Sequence, residues 1–225
     1  MKMILLVVDT SGKNGSVALA RADEGNVSMI EVAPLTGGTF SAQLVPLIAA
    51  LLSKHGISKT DIGAFIAVAG PGSFTGLRVG LAAVKALAEI LHQPIVPVSL
   101  LEAVALASGA LGKVVSALDA GRGEVYVGEY EVSAESALLL REQVLPKHEF
   151  LSTASGKTVS TPDATLAEMA LAAGLSLCLT DPVTIDATAR LGWRKLQAGE
   201  NVSPEQLDAS YMRRSDAEMF TKISS

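Results

Sequence analysis

Leu5-Leu6-Val7-Val8-Asp9-Thr10-Ser11-Gly12-Lys13-Asn14-Gly15-Ser16-Val17-Ala18-Leu19-Ala20 opens the chain, and Val114-Val115-Ser116-Ala117-Leu118-Asp119-Ala120-Gly121-Arg122-Gly123-Glu124-Val125-Tyr126 repeats its grammar. Each stretch is an apolar run, an aspartate, a glycine-bearing turn and a second apolar run, with the second turn the shorter. Apolar runs of this length bounded by turn residues read as buried strands, so each stretch predicts a β-hairpin. Around the first lie a third strand (27–32), a helix (Phe40 to about Lys54, with Pro46 inside it), a strand (64–69), a long helix (Phe74 to about His92), a strand (95–98) and a helix (about 100–109). Around the second lie a strand (137–144), helical stretches at 164–173 and 187–196, and a short strand at 175–179. The pattern predicts a duplicated α/β architecture with residues 1–98 as one lobe and 99–225 as the other, the C-terminal segment packing back on the first.

Composition bounds the rest. The 225 residues are 49% hydrophobic and 18% charged, with a net charge of −5, which excludes a disordered chain and gives enough apolar residues for two cores. No apolar run reaches the length of a membrane span, and the Met3–Val8 run is too short for a signal-peptide core. One cysteine, Cys178, permits no internal disulfide, and a cytoplasmic location is expected. No Lys/Arg stripe marks a surface for nucleic acid bound by this chain alone. His55, His92 and His148 lack the spacing that puts two imidazoles on one helix face, and no Gly-x-Ser-x-Gly elbow is present.

Four features carry the functional reading, each with two interpretations. Asp9, Thr10, Ser11, Asp119 and Gly121 lie at hairpin turns whose amides could cradle a phosphate, or the acids could simply cap those turns. Gly70-Pro71-Gly72-Ser73-Phe74-Thr75-Gly76-Leu77-Arg78 joins a strand to a helix start; it is neither a P-loop nor a dinucleotide fingerprint, and it either binds an anion or lets the helix pack closely. The helix that follows carries two apolar stripes on opposite faces: Leu77, Leu81, Val84, Ala88 and Leu91 on one, Val79, Ala83, Ala86 and Ile90 on the other. The earlier helix also has two, Phe40–Leu44–Leu47–Leu51 beside Val45–Ile48–Leu52. Such helices are either fully buried or shared with a second polypeptide. Trp193, with Arg190, Arg194 and Lys195, is a small basic patch, either a solvated face or a contact with RNA or a partner.

Val8-Asp9-Thr10-Ser11, the block Gly70 to Gly80, Leu118-Asp119-Ala120-Gly121-Arg122-Gly123-Glu124-Val125-Tyr126 and Tyr211-Met212-Arg213-Arg214, in that order, resemble the TsaB (YeaZ) family of bacterial tRNA threonylcarbamoyladenosine biosynthesis proteins. The sequence departs from that family at Gly121, where arginine is frequent, and at Phe40, where histidine is common. The resemblance implies an α/β, actin/Hsp70-like (ASKHA) fold of two RNase H-like lobes with mixed sheets flanked by helices. It implies a non-catalytic subunit that binds the catalytic paralogue TsaD, together with the ATPase TsaE, in the complex that forms N6-threonylcarbamoyladenosine at position 37 of tRNAs reading codons that start with A. The chain itself is then expected to hold no cofactor or metal firmly, ATP and metal belonging to the partner complex, and to form a homodimer when alone. The expected interface is Phe40, Leu44, Leu47, Ile48 and Leu51 on the first helix, with Phe74, Leu77, Arg78, Leu81 and Lys85 on the second. The alternative is a small actin-like ATPase or phosphotransferase using Asp9 and Asp119.

Overall fold

A computed structural model describes residues 2–208, which divide into two compact bodies, residues 2–99 with 184–208 and residues 100–183. In the first body the chain runs β1 (Met3–Asp9), β2 (Gly15–Asp23), β3 (Asn26–Leu35), α1 (Phe40–Lys54), β4 (Ile62–Gly70), α2 (Phe74–Leu91) and β5 (Ile95–Ser99). Sheet order is β3-β2-β1-β4-β5; β1 pairs antiparallel with β2 and parallel with β4. Leu5 to Val8 are buried without alternation, because helices cover both faces of this central strand. Pro46 lies inside α1 without ending it.

The second body runs α3 (Leu100–Ala107), β6 (Gly112–Gly121), β7 (Glu124–Val132), β8 (Ala137–Pro146), α4 (Lys147–Thr153), β9 (Thr158–Thr161), α5 (Ala164–Ala172) and β10 (Ser176–Leu179). Its sheet, β8-β7-β6-β9-β10, repeats the first strand for strand. β6 pairs antiparallel with β7 and parallel with β9, as β1 does with β2 and β4. The β6–β7 hairpin closes on Arg122 and Gly123, both at positive φ (55° and 82°), which sets the right-handed twist of a two-residue turn. α4 and β9 have no counterpart in the sequence reading. Both are short, and β9 (Thr-Val-Ser-Thr) reads as polar, although Val159, Ser160 and Thr161 are buried. Ser160 is satisfied by donating to the Val104 carbonyl at 2.8 Å.

The chain then returns to the first body as α6 (Ile185–Gln197), so among the described residues 184–208 pack with the first body. α6 lies against β1 to β5, with Gly192 over Ile66. Residues 201–207 follow as a strap: Val202 exchanges backbone hydrogen bonds with Ile95 on the edge strand (2.8 and 3.3 Å), and Lys85 Nζ donates to the Leu207 carbonyl at 3.1 Å. Among the described residues no helix is long and apolar enough to cross a membrane. The Tyr211–Arg214 segment lies outside the described residues.

The C-terminal end of α1 is tied to β3 by Glu31, whose carboxylate accepts from Lys54 Nζ at 2.7–2.8 Å and faces His55 Nε2 at 2.6 Å. Those two hydrogen bonds hold the Glu31 carboxyl below its ordinary range. A carboxylate so depressed adds stability that is complete above its unfolded value and fades as pH falls through the folded one. Glu31→Gln is therefore expected to lower the urea midpoint slightly at neutral pH, with the wild-type and variant curves converging on acidification below about pH 4. A gap that stays constant well below that pH would remove the ion-pair explanation.

Candidate functional site

Everything at the front of the first body is set by how α2 sits on the turn after β1. Ser73 starts the helix and accepts from the Gly76 amide at 3.2 Å, and the Ser73 amide donates to the Ser11 carbonyl at 2.6 Å. The glycines then form a contact row. A Cβ on Gly72 would stand 2.4 Å from the Ser11 carbonyl oxygen, one on Gly76 2.1 Å from that of Thr10, and one on Gly80 2.2 Å from Thr10 Oγ1. No larger residue allows this approach. The glycine block thus acts as a seat for α2, the close-packing one of its two readings.

Seating α2 there buries Thr10 and Ser11 at 2% and 5% exposure. Both side chains, proposed from sequence as phosphate ligands, lie beneath the glycine row rather than in an open turn. Asp9 Oδ1 accepts from Ser11 N (2.9 Å) and Ser11 Oγ (2.6 Å), the arrangement of an acid capping its own turn. Asp119 in the second body is more open; it accepts from the Gly121 amide at 3.3 Å and stands 3.9 Å from Lys147 Nζ.

With α2 seated, packing against α1 decides which faces of the helices are free. Leu81, Val84 and Ala88 turn inward and join Phe40, Leu44, Ile48, Leu51 and Leu52 of α1 in one core, and Leu77 is buried on the same face of α2. This corrects the expected interface. Phe40, Leu44, Ile48, Leu51, Leu77 and Leu81 are at most 7% exposed in a single copy and have no free surface to offer a partner. Leu47, Phe74 and Lys85 are half-buried; of the expected set Arg78 alone is exposed, with its guanidinium 3.5 Å from the centroid of the Phe74 ring. The outward row of α2 is the second stripe: Val79 and Ala83 half-buried, Ala82 and Ala86 exposed, and Ile90 68% exposed. On α1 the outward positions are Ala42, Val45, Ala49 and Ala50, with Val45 53% exposed. No sequence signal singles out the outer row: at 100° per residue Gly76 and Gly80 fall between the two stripes, and packing against α1 decides which of them is covered.

The basic patch on α6 is largely neutralised. Arg190 makes a two-pronged ion pair with Asp186 (2.8 and 3.1 Å), Lys195 pairs with Glu200 at 2.9 Å, and Trp193 is buried. Among the described residues no cluster of three or more His, Cys, Asp or Glu side chains is arranged to hold a metal ion.

Two copies of a five-stranded mixed sheet in one strand order, each opened by a hairpin with an aspartate at its turn, define an actin/Hsp70-like (ASKHA) protein of two RNase H-like lobes. A sequence profile described as "TsaD: tRNA N6-adenosine threonylcarbamoyltransferase" matches residues 34–175. The tRNA threonylcarbamoyladenosine biosynthesis protein TsaB of Escherichia coli (strain K12) is 29% identical over 232 residues, 96% of each chain. TsaB of Bacillus subtilis (strain 168) is 34% identical over 145 residues, 64% of this chain and 60% of its own. The structure titled "YeaZ from Pseudomonas aeruginosa" matches with a TM-score of 0.70 at 25% identity, covering 93% of this chain and 99% of that one. A structure described as an uncharacterized protein with similarity to peptidase YEAZ, also from Pseudomonas aeruginosa, matches with a TM-score of 0.72 at 27% identity, covering 94% and 100%. The chain belongs to the TsaD family, in its TsaB (YeaZ) branch.

The division of the stripes is measurable. Leu44→Ala, which empties a fully enclosed site, is expected to cost about 2–5 kcal/mol in chemical denaturation, whereas Val45→Ala, one residue on, changes stability by no more than about 0.5 kcal/mol. Gly76→Val is expected to lose about 1–3 kcal/mol or more by forcing α2 off Thr10. Equal costs at Leu44 and Val45 would contradict the assignment of faces.

Proposed function

We propose that this chain is a non-catalytic partner subunit in the biosynthesis of tRNA threonylcarbamoyladenosine. In this reading it acts in the cytoplasm by docking to a TsaD-like catalytic subunit, with a TsaE-like ATPase joining the pair. The TsaB names of its relatives and the TsaD profile support the pathway. The observation that carries the docking role is the outward row of α1 and α2: Val45 and Ile90 stand in water at more than half exposure, among alanines that let another helix come close. An interface of standard size buries about 1,600 Å² in total, and two partner helices laid along this pair supply an area of that order. Apolar burial at about 25 cal/mol per Å² drives the association, offset in large part by lost translational freedom and side-chain ordering. The same row serves self-association when TsaD is absent. ATP, metal and the transfer chemistry belong, in this proposal, to the partners.

The closure of Thr10 and Ser11 beneath α2 supports a binding role over the ATPase alternative, because the N-terminal hairpin turn is filled by the chain's own glycine row. Val45→Glu with Ile90→Glu is expected to leave the melting temperature within a few degrees of wild type. The same pair should abolish co-elution with a TsaD-like subunit in size-exclusion chromatography and, in a reconstituted assay, threonylcarbamoylation of tRNA. Undiminished complex formation by this double variant would overturn the docking face, and transfer by the isolated chain would overturn the non-catalytic role.

A further inference from the structure

An open cavity of about 420 Å³ lies between the C-terminal turn of α2 and the strap, walled by Ala88, Glu89, His92 and Gln93 on one side and by Asn201 and Ser203 among others on the facing one. Its one charged side chain is the Glu89 carboxylate, beside neutral groups that can donate or accept: the Gln93, Asn201 and Gln206 amides, the Ser203 hydroxyl and the His92 imidazole. The His92 and Gln93 amides both donate to the Ala88 carbonyl, so neither reaches Glu89. Pro94 has no N–H to offer Ile90, and the Ile95 amide is committed to Val202. Among the described residues the carbonyls of Glu89, Ile90 and Leu91 thus have no amide partner, and of these three residues Glu89 lines the cavity, at the negative pole of an 18-residue helix whose last turn carries no basic residue. The Glu89 carboxylate, Gln93 and Asn201 amides and His92 imidazole stand at the same place without hydrogen bonds or ion pairs to other described residues. Among the described residues no lysine or arginine lines the cavity.

We infer that this cavity binds a guanidinium or alkylammonium group. A helix C-terminus with its carbonyls unmet and a carboxylate beside it favours a cation, and a guanidinium offers five N–H donors to such a set of acceptors. The volume falls within the range of small-ligand sites. The group comes either from a free polyamine or from a basic side chain of a protein resting near Ile90, which lies on the same turn of α2. The inference does not depend on the identity of that protein or on the docking reading.

The test is a titration of the isotope-labelled full-length chain followed by amide NMR, with Nα-acetylated arginine amide, spermidine and, as the uncharged isostere, Nα-acetylated citrulline amide (below, arginine amide and citrulline amide). Arginine amide or spermidine is expected to give saturable shifts confined to residues around Glu89, Gln93 and Asn201, with a Kd on the order of 1 mM or below. Citrulline amide is expected to give none. Tighter binding of spermidine points to a free polyamine, and tighter binding of arginine amide to a protein side chain. Glu89→Gln should weaken the cation about fivefold with an unchanged melting temperature, and Asn201→Ala should weaken it without removing the charge preference. Absence of saturable local shifts with either cation, or equal shifts with citrulline amide, overturns the site.

Discussion

The approach of the α2 backbone to Thr10 and Ser11 is the constraint from which the first body takes its form. Three glycines, at positions 72, 76 and 80, remove the side chains that would hold helix and turn apart. Once they meet, the helix has no freedom to roll. Leu81, Val84 and Ala88 enter the core, with Leu77 buried on the same face; Val79 and Ala83 pack against its edge, and Ala86 and Ile90 face outward. α1 follows, because Leu44, Ile48 and Leu51 meet the inner face of α2 and leave Val45 and the alanines outside. One steric fact thus builds a core, closes the turn beside Asp9 and leaves an apolar surface.

The second body repeats the topology without the seat. Its helix after β9 is α5, entered through Thr161-Pro162-Asp163 with no glycine, and started by Asp163 accepting from the Leu166 amide at 3.0 Å. Its acid turn stays open, with Asp119 exposed. Two lobes that share strand order and pairing therefore differ in what their turns can do. In the first, polar side chains that would face a ligand in an open turn have become packing surface. The closed turn and the packing of α2 are two results of the same close approach.

Much of this was legible in the chain. The repeated strand–aspartate–turn–strand pattern marks the duplication, and the uninterrupted apolar runs Leu5–Val8 and Ala64–Ala69 mark strands covered on both faces. The helices at Phe40–Lys54 and Phe74–Leu91 follow from their periodicity. β9 was not legible: it is four residues long, and Ser160 and Thr161 are buried because the Val104 carbonyl and the Asp163 amide satisfy them, a tertiary effect that composition does not carry. Periodicity identifies both stripes of α2 equally, and the cations beside Leu77 and Leu81 look in sequence like the rim of an exposed face. Lys85 instead reaches the Leu207 carbonyl and Arg78 lies over Phe74, so neither cation marks a free surface for the leucines beside it. The α6 patch likewise looked basic because the acids that neutralise it, Asp186 and Glu200, flank it at helical and loop spacing rather than beside it.

The central claim is that one face of the α1–α2 pair is core and the other is a protein-binding surface. Carbene footprinting of side chains, read by mass spectrometry on the free chain as a dilute monomer and on its complex with a TsaD-like subunit, tests it most directly. The account predicts strong labelling of Val45 and Ile90 in the free chain, loss of that labelling in the complex, and no labelling of Leu44 or Leu81 in either. Labelling of Leu44 and Leu81 in the free chain, or unchanged labelling of Val45 and Ile90 when the partner is bound, would contradict it.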